Sequence, residues 1–387
     1  MSGSRTALKW IALGAMIAGT GVASLGSHAA HGQAWQVSGD LRLAWQSDWQ
    51  DARDGQSSST DALNTRMRLR LRHDLNSNWR FQTRLAGTFR DSGNDVELFL
   101  RPERDSATAV DPGSVTPDEF FLQYRSSDQR TEVRVGRLQS SLKLPLVTDK
   151  SLDRNQASNV NIGWTDGIFI GHQFSEHWKT TLTAQYNDRD GNGTTTRGPL
   201  DFRSSGSRVS TFATLESERE IGPLFLRALS LTWYPDALAV DGVAGSARED
   251  YVNAAWKMAA GWNLGSGMRV VTAGEVGYAF NRPRNAVMGL PGSGDADGLA
   301  WQLGADLVGF LPDHRAGLAV GEVDAGWLIS NDYRQNDSLA EFRWRWDVLP
   351  ELALEMRARW RYEQEQRSFS PDKQRDRDIR FRVTYSF

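Results

Sequence analysis

The sequence predicts an all-β fold: an antiparallel up-and-down transmembrane β-barrel of about sixteen strands. Three observations predict it. Residues 66–72 read RMRLRLR, with arginine at 66, 68, 70 and 72 and Met67, Leu69 and Leu71 between them. On a helix this order scatters charge around the cylinder, whereas on a strand it makes one face cationic and the other aliphatic. Short polar turns then alternate with long Asp/Gly/Ser/Asn-rich segments along the chain. Finally, Trp, Tyr and Phe gather near the ends of the alternating stretches, as anchoring at two membrane interfaces requires.

Residues 1–34 precede the barrel and read as a secretory signal peptide. Arg5 and Lys9 flank an apolar run from Trp10 to Leu25, and small residues lead to a cleavage site after Ala34. The run is short and glycine-rich for a spanning helix. Its removal takes away two bases and no acid, leaving 43 basic and 48 acidic residues in 35–387, a formal charge of −5. That balance excludes nucleic acid as a partner. The chain has no cysteine, so disulfides and thiolate metal sites are excluded.

Seven short turns are expected at 76–78, 126–130, 175–177, 221–223, 265–267, 311–314 and 349–351. Each joins two alternating stretches of about ten residues, the length of a membrane-crossing strand. Longer loops are expected at 49–61, 91–118, 140–160, 188–207, 235–248, 282–297, 329–337 and 366–376. The pattern puts the turns at the periplasmic rim and the loops outside. Trp79, Phe174, Trp178, Trp262 and Phe310 belong to the belt near the turns. Trp45, Tyr186, Trp233, Tyr234, Phe280 and Trp301 belong to the belt near the loops.

The inner face carries the chemistry. Arg42, then Arg66, Arg68, Arg70 and Arg72, then Arg80 and Arg84 lie on the first three strands. Arg343 and Arg345, Arg357, Arg359 and Arg361, and Arg380 and Arg382 lie on the last three. Closure of the barrel makes these six strands neighbours, so the ladders merge into one wall. Glu341, Asp347, Glu355, Glu363, Asp378, Asp40 and Asp48 share it, leaving fourteen arginines against seven acids. An arginine facing lipid at mid-depth would cost about 2–4 kcal/mol, so the wall faces water. Ladders of Arg are how anion pores select, because guanidinium is always charged and matches carboxylate or phosphate bidentately. The alternative is interior filler in which arginine and acid merely pair. On the wall reading, Arg68→Glu with Arg70→Glu should leave the barrel folded and weaken anion preference.

Two loops are candidates for a constriction of the lumen, an exposed loop being the alternative. Segment 91–118 is long and carries Arg101 and Arg104. Segment 140–160 is unusually apolar, with Leu142, Leu144, Leu146 and Val147, and adds Lys143, Lys150 and Arg154. By contrast, the inner positions of strands 10–13 are mostly small or uncharged, as in Ala255, Ala259, Ala273, Gly277, Gly304 and Gly317. The Asp/Gly runs 187–193 and 294–298 lack the distant glutamate of a calcium loop, so turn chemistry explains them and no metal or cofactor is assigned. The four remaining histidines, His73, His172, His177 and His314, all fall beside expected periplasmic turns. Nucleophile–base catalysis at the outer rim has no base there, and the chain reads as a non-enzyme.

The final stretch, Ile379 to Phe387, alternates to a terminal aromatic and resembles the C-terminal strand by which bacterial outer-membrane proteins meet the barrel-insertion machinery. The chain as a whole resembles Gram-negative porins. More narrowly, it resembles the alginate-export-type barrels. That likeness rests on Thr65 to Arg72, on WRFQTRL at 79–85, on VGRLQ at 135–139, on Asp153-Arg154 and on WTDG at 164–167. It covers mainly residues 36–175, and phosphate-selective porins are the competing resemblance. It implies a Gram-negative outer-membrane location among lipid and passive diffusion of anionic small molecules, uronate oligosaccharides or polymer. A general porin or a structural or adhesive barrel stands as the alternative.

Overall fold

The computed structural model describes residues 34–91, 96–99, 117–153, 165–187, 198–202, 208–242 and 247–387. The expected leader, Arg154 and most of segment 91–118 lie outside these. Among the described residues there are seventeen strands. They are β1 (Gln36–Asp51), β2 (Ser57–Asp74), β3 (Trp79–Asp91), β4 (Val96–Phe99), β5 (Pro117–Arg125) and β6 (Thr131–Leu138). Next come β7 (Thr165–Gln173), β8 (Trp178–Tyr186), β9 (Val209–Ser217), β10 (Leu224–Leu238), β11 (Glu249–Gly265) and β12 (Met268–Ala279). The last are β13 (Leu299–Val308), β14 (His314–Val323), β15 (Asp337–Leu349), β16 (Leu352–Glu363) and β17 (Arg375–Ser386).

Each strand pairs antiparallel with its neighbour, and β17 returns to β1 from Asp40↔Ser386 to Asp51↔Arg375, closing the sheet. The strand β4 pairs with β3 over residues 88–91 and β5 pairs with it over 79–85, so the two share one place in the wall. The barrel therefore has sixteen staves. Closure matters because an open edge of unpaired backbone groups cannot sit in hydrocarbon.

All seven short turns lie where the sequence puts them. Their residues supply the left-handed backbone that tight reversals need: Gln129 (φ 61°), Gly222 (59°), Ser266 (51°), Gly267 (81°) and Asp313 (61°). Alternation holds along the walls. On β2, Met67 is 50% exposed toward the outside whereas Arg66 is fully buried inside. Tryptophans 45, 79, 178, 233, 256, 262 and 360 are all exposed on the outer surface.

Three expectations need correction. The loop at 49–61 is only residues 52–56, because β1 and β2 continue past the hydrocarbon as a long hairpin. Tyr234 does not join the outer belt: it is fully buried inside, stacked on Tyr251 at 6.1 Å and edge-on to Phe202 and Phe212. The segment expected as an exposed loop at 329–337 instead spans 324–336 and folds into the barrel, burying Trp327, Leu328, Ile329 and Tyr333.

Candidate functional site: a constriction against a cationic wall

Residues 139–153 leave β6 and turn into the lumen, where the sequence's apolar run finds its partners. Leu144 and Leu146 pack on Ala259, Val271 and Ala273 of β11 and β12. Room for them comes from the small inner residues of this wall. A Cβ at Gly304 would lie 2.5 Å from Leu146 Cδ1, and one at Gly317 would lie 2.8 Å from Val147 Cγ1. Gly304→Val should overpack this contact at a cost of about 1–3 kcal/mol and lift the segment from the wall. Single-channel conductance of the folded variant should rise; an unchanged value would mean that the segment does not limit flow.

Polar bonds fix the segment where apolar contact ends. Val147 N donates to Asp306 at 2.5 Å, and Arg343 Nη1 donates to the Val147 carbonyl at 3.2 Å. Leu152 N donates to Glu275 at 2.8 Å, and Ser151 N to Asp332 at 2.9 Å. Buried Lys257 holds both the Leu142 carbonyl (2.7 Å) and the Ser151 hydroxyl (2.6 Å) and pairs with Glu275 at 2.9 Å. Lys150 pairs with Glu341 at 2.8 Å; burial pushes its amine down to about 8, against the opposing pull of that carboxylate. Segment 324–336 completes the seal, with Trp327 Nε1 donating to the Leu152 carbonyl at 2.8 Å. Together these fill the β9–β15 side with a continuous apolar cluster running from Leu152 to Tyr251, Trp327 and Leu339.

Open space remains along the opposite wall. A cavity of about 400 Å³ lies between the inward segment and β14–β17, β1 and β2. Its charged lining is Arg42, Arg66, Arg68, Lys143, Arg315, Arg343, Arg345 and Arg382 against Asp149 and Glu355. Eight cations thus face two carboxylates. Arg315 was missed from the sequence, although it shares the inward parity of Gly317, because it stands alone on its strand beside the short turn rather than in a ladder. Strand register assembles the rest: Arg345, Glu355 and Arg382 stand side by side across β15, β16 and β17, and Arg42 stands opposite Arg66.

The wall as a whole is less unbalanced than the ladders imply. Asp74 bridges Arg72 and Arg80 at 3.2 and 2.6 Å. Asp118 and Glu119 of β5, unexpected from sequence, take Arg68 (3.0 Å), Arg70 (3.3 Å) and Arg84 (2.8 and 2.9 Å). Asp337 approaches Arg361 at 3.6 Å. These four carboxylates bring the wall to fourteen arginines and eleven acids. Arg357 and Arg359 share Asp378, and Arg380 and Arg382 share Glu355. Even at the cavity, Asp40, Asp118, Asp347 and Glu341 stand behind its arginines, which makes eight cations to six carboxylates. The small residual positive charge is therefore not confined to the constriction; what sets the constriction apart is arrangement, because its cationic groups line the opening while four of the six carboxylates stand behind them.

The sequence-derived cationic residues thus divide by place. Arg42, Arg66, Arg68, Lys143, Arg343, Arg345 and Arg382 meet at the cavity. Arg70, Arg72, Arg80 and Arg84 lie toward the short turns; Arg357, Arg359, Arg361 and Arg380 lie in ion pairs beyond it. All four histidines sit at the short-turn rim, where His73 stacks on Trp35 at 4.8 Å and His314 on Trp346 at 5.2 Å.

No family model and no curated protein matches the sequence. Solved structures do resemble it. OpdL of Pseudomonas aeruginosa has a TM-score of 0.54 and 14% identity, covering 91% of this chain and 98% of that one. The outer membrane channel DcaP of Acinetobacter baumannii has a TM-score of 0.55 and 14% identity, covering 92% and 98%. An anion-selective porin from Comamonas acidovorans has a TM-score of 0.52 and 13% identity, covering 92% and 100%. These likenesses are of fold.

Proposed function

We propose that this chain is a Gram-negative outer-membrane channel through which small anionic solutes diffuse passively. On this reading residues 1–34 are a cleaved leader and the C-terminal strand engages the insertion machinery. The observation that carries it is the cavity at the constriction, where eight cationic side chains face two carboxylates. An anion passing there exchanges hydration for guanidinium contacts, while a cation meets repulsion in a confined space that salt screens poorly. Several weak sites in sequence, rather than one tight one, let the solute leave as readily as it enters. Arginine ladders continue from the cavity toward both rims, which suits carboxylate-bearing solutes up to uronate oligosaccharides. The pairs around Asp378 and Glu355 have the separate task of holding the wall together.

Liposome swelling tests this with three solutes of one size: glucuronate, glucose and glucosamine. The expected order of entry is anion, then neutral sugar, then cation. Equal rates, or fastest entry of the cation, would contradict it.

A further inference from the structure

Behind the inward segment, on the side away from the cationic cavity, β6–β9 enclose a second cavity of about 280 Å³. Gln139 and Ser141 border both. Toward the short turns it joins a mouth cavity of about 330 Å³, with Arg134, Phe169, Lys179 and Glu216 common to the two. Toward the long loops it meets Phe212, whose ring belongs to the buried apolar cluster. Beyond it Gln185, Asn187 and Ser210 are buried and bonded to one another. The pocket is thus continuous with the mouth cavity at the short-turn rim.

We propose that the pocket binds one uncharged sugar ring. Its size is at the small end of ligand sites, suited to a monosaccharide. Thr181 and Thr183 of β8 and Thr214 of β9 line it with hydroxyls. Those of Thr181 and Thr214 bond to each other, and that of Thr183 meets Ser140 at 3.3 Å. A hydroxyl donates once and accepts twice, so such pairs retain capacity for a ligand. Arg134 is a fixed donor fork: its guanidinium lies 4.9 Å from the Phe169 centroid and 5.7 Å from that of Phe121, and Glu132 pairs with it. Lys179 stands opposite Glu216 in the strand register. Two cations and two carboxylates, Glu216 and Asp153, give the lining no net charge. A charged solute gains nothing there, whereas a polyol can donate to the carboxylates and accept from the cations with neighbouring hydroxyls.

Saturation-transfer NMR on the full-length barrel in detergent, with methyl glucoside, galactoside and mannoside as probes, tests the assignment. At least one neutral glycoside should bind. Thr181→Val and Thr183→Val keep the side-chain shape and should each weaken it about fivefold, as one lost hydrogen bond does. Glu216→Gln should weaken it too, while Arg345→Gln, in the cationic cavity, should leave it unchanged. Folding of each variant is read from its heat-modifiable band. Absence of binding by every neutral glycoside, binding of glucuronate alone, or full affinity in both threonine variants would overturn the proposal, whatever the ion preference of the channel.

Discussion

Glu355→Ala is expected to lower the melting temperature of the detergent-solubilised barrel more than any other single change on the cationic wall. The Glu355 carboxylate lies between three arginines: Arg380 at 2.7 Å, Arg382, and Arg343 at 3.9 Å. Arg380 and Arg343 are almost wholly buried, so neither can turn to bulk water for compensation. Removing one partner of a buried ion pair costs about 3–5 kcal/mol, because the remaining charge stays desolvated and unpaired. Here the deletion takes the carboxylate from fully buried Arg380 and removes a contact from Arg382 and from Arg343, which keeps Glu341. Asp347→Asn is the contrast: its contacts to Arg345 and Arg315 are substantially exposed, and the loss should stay within about 1 kcal/mol. Thermal melts followed by β-type circular dichroism would check both, and equal melting temperatures for Glu355→Ala and the native protein would contradict the first.

The second large effect is on selectivity. Arg42→Gln, Arg315→Gln and Arg345→Gln together should move the reversal potential in a salt gradient more than halfway toward zero. These three line the cavity and keep side chains that are at least partly exposed, and Asp40 also keeps Arg66, so their carboxylate partners Asp40 and Asp347 tolerate neutralisation of the arginines. Cations at the opening fall from eight to five while the two carboxylates remain. A reversal potential unmoved in folded triple variant would show that these groups do not select. The substitution pair Arg68→Glu with Arg70→Glu, attractive from sequence, is a poorer probe. Arg68 pairs with wholly buried Asp118, which also holds Arg84, so a glutamate there would face a second carboxylate without water. That pair should fail to assemble, a stability effect of about 3–5 kcal/mol.

Local pattern carried the barrel. Two-residue periodicity identifies the strands, and residues that tolerate positive φ identify the turns, because both are properties of neighbouring residues. Arg66, Arg68, Arg343 and Arg345 were legible as inward for the same reason. What stayed hidden depends on contacts across the lumen. Asp118 and Glu119 sit where the pairing of β3 with β5 shifts register, so alternation does not reveal that both reach the arginines. Ala259, Ala273, Gly304 and Gly317 read as a featureless wall, yet their smallness is what admits Leu144, Leu146 and Val147. Residues 324–336 carry Trp327, Leu328 and Ile329, an apolar content too high for an exposed loop, and that was the available sign that they fold inward.

The most direct measurement is the zero-current potential of the native protein in a planar bilayer separating concentrated from dilute potassium chloride. A constriction bounded by eight cations and two carboxylates predicts a potential displaced toward the chloride equilibrium value, and less displaced as ionic strength rises and screening shortens. A potential at zero, or displaced toward that of potassium, would contradict the account.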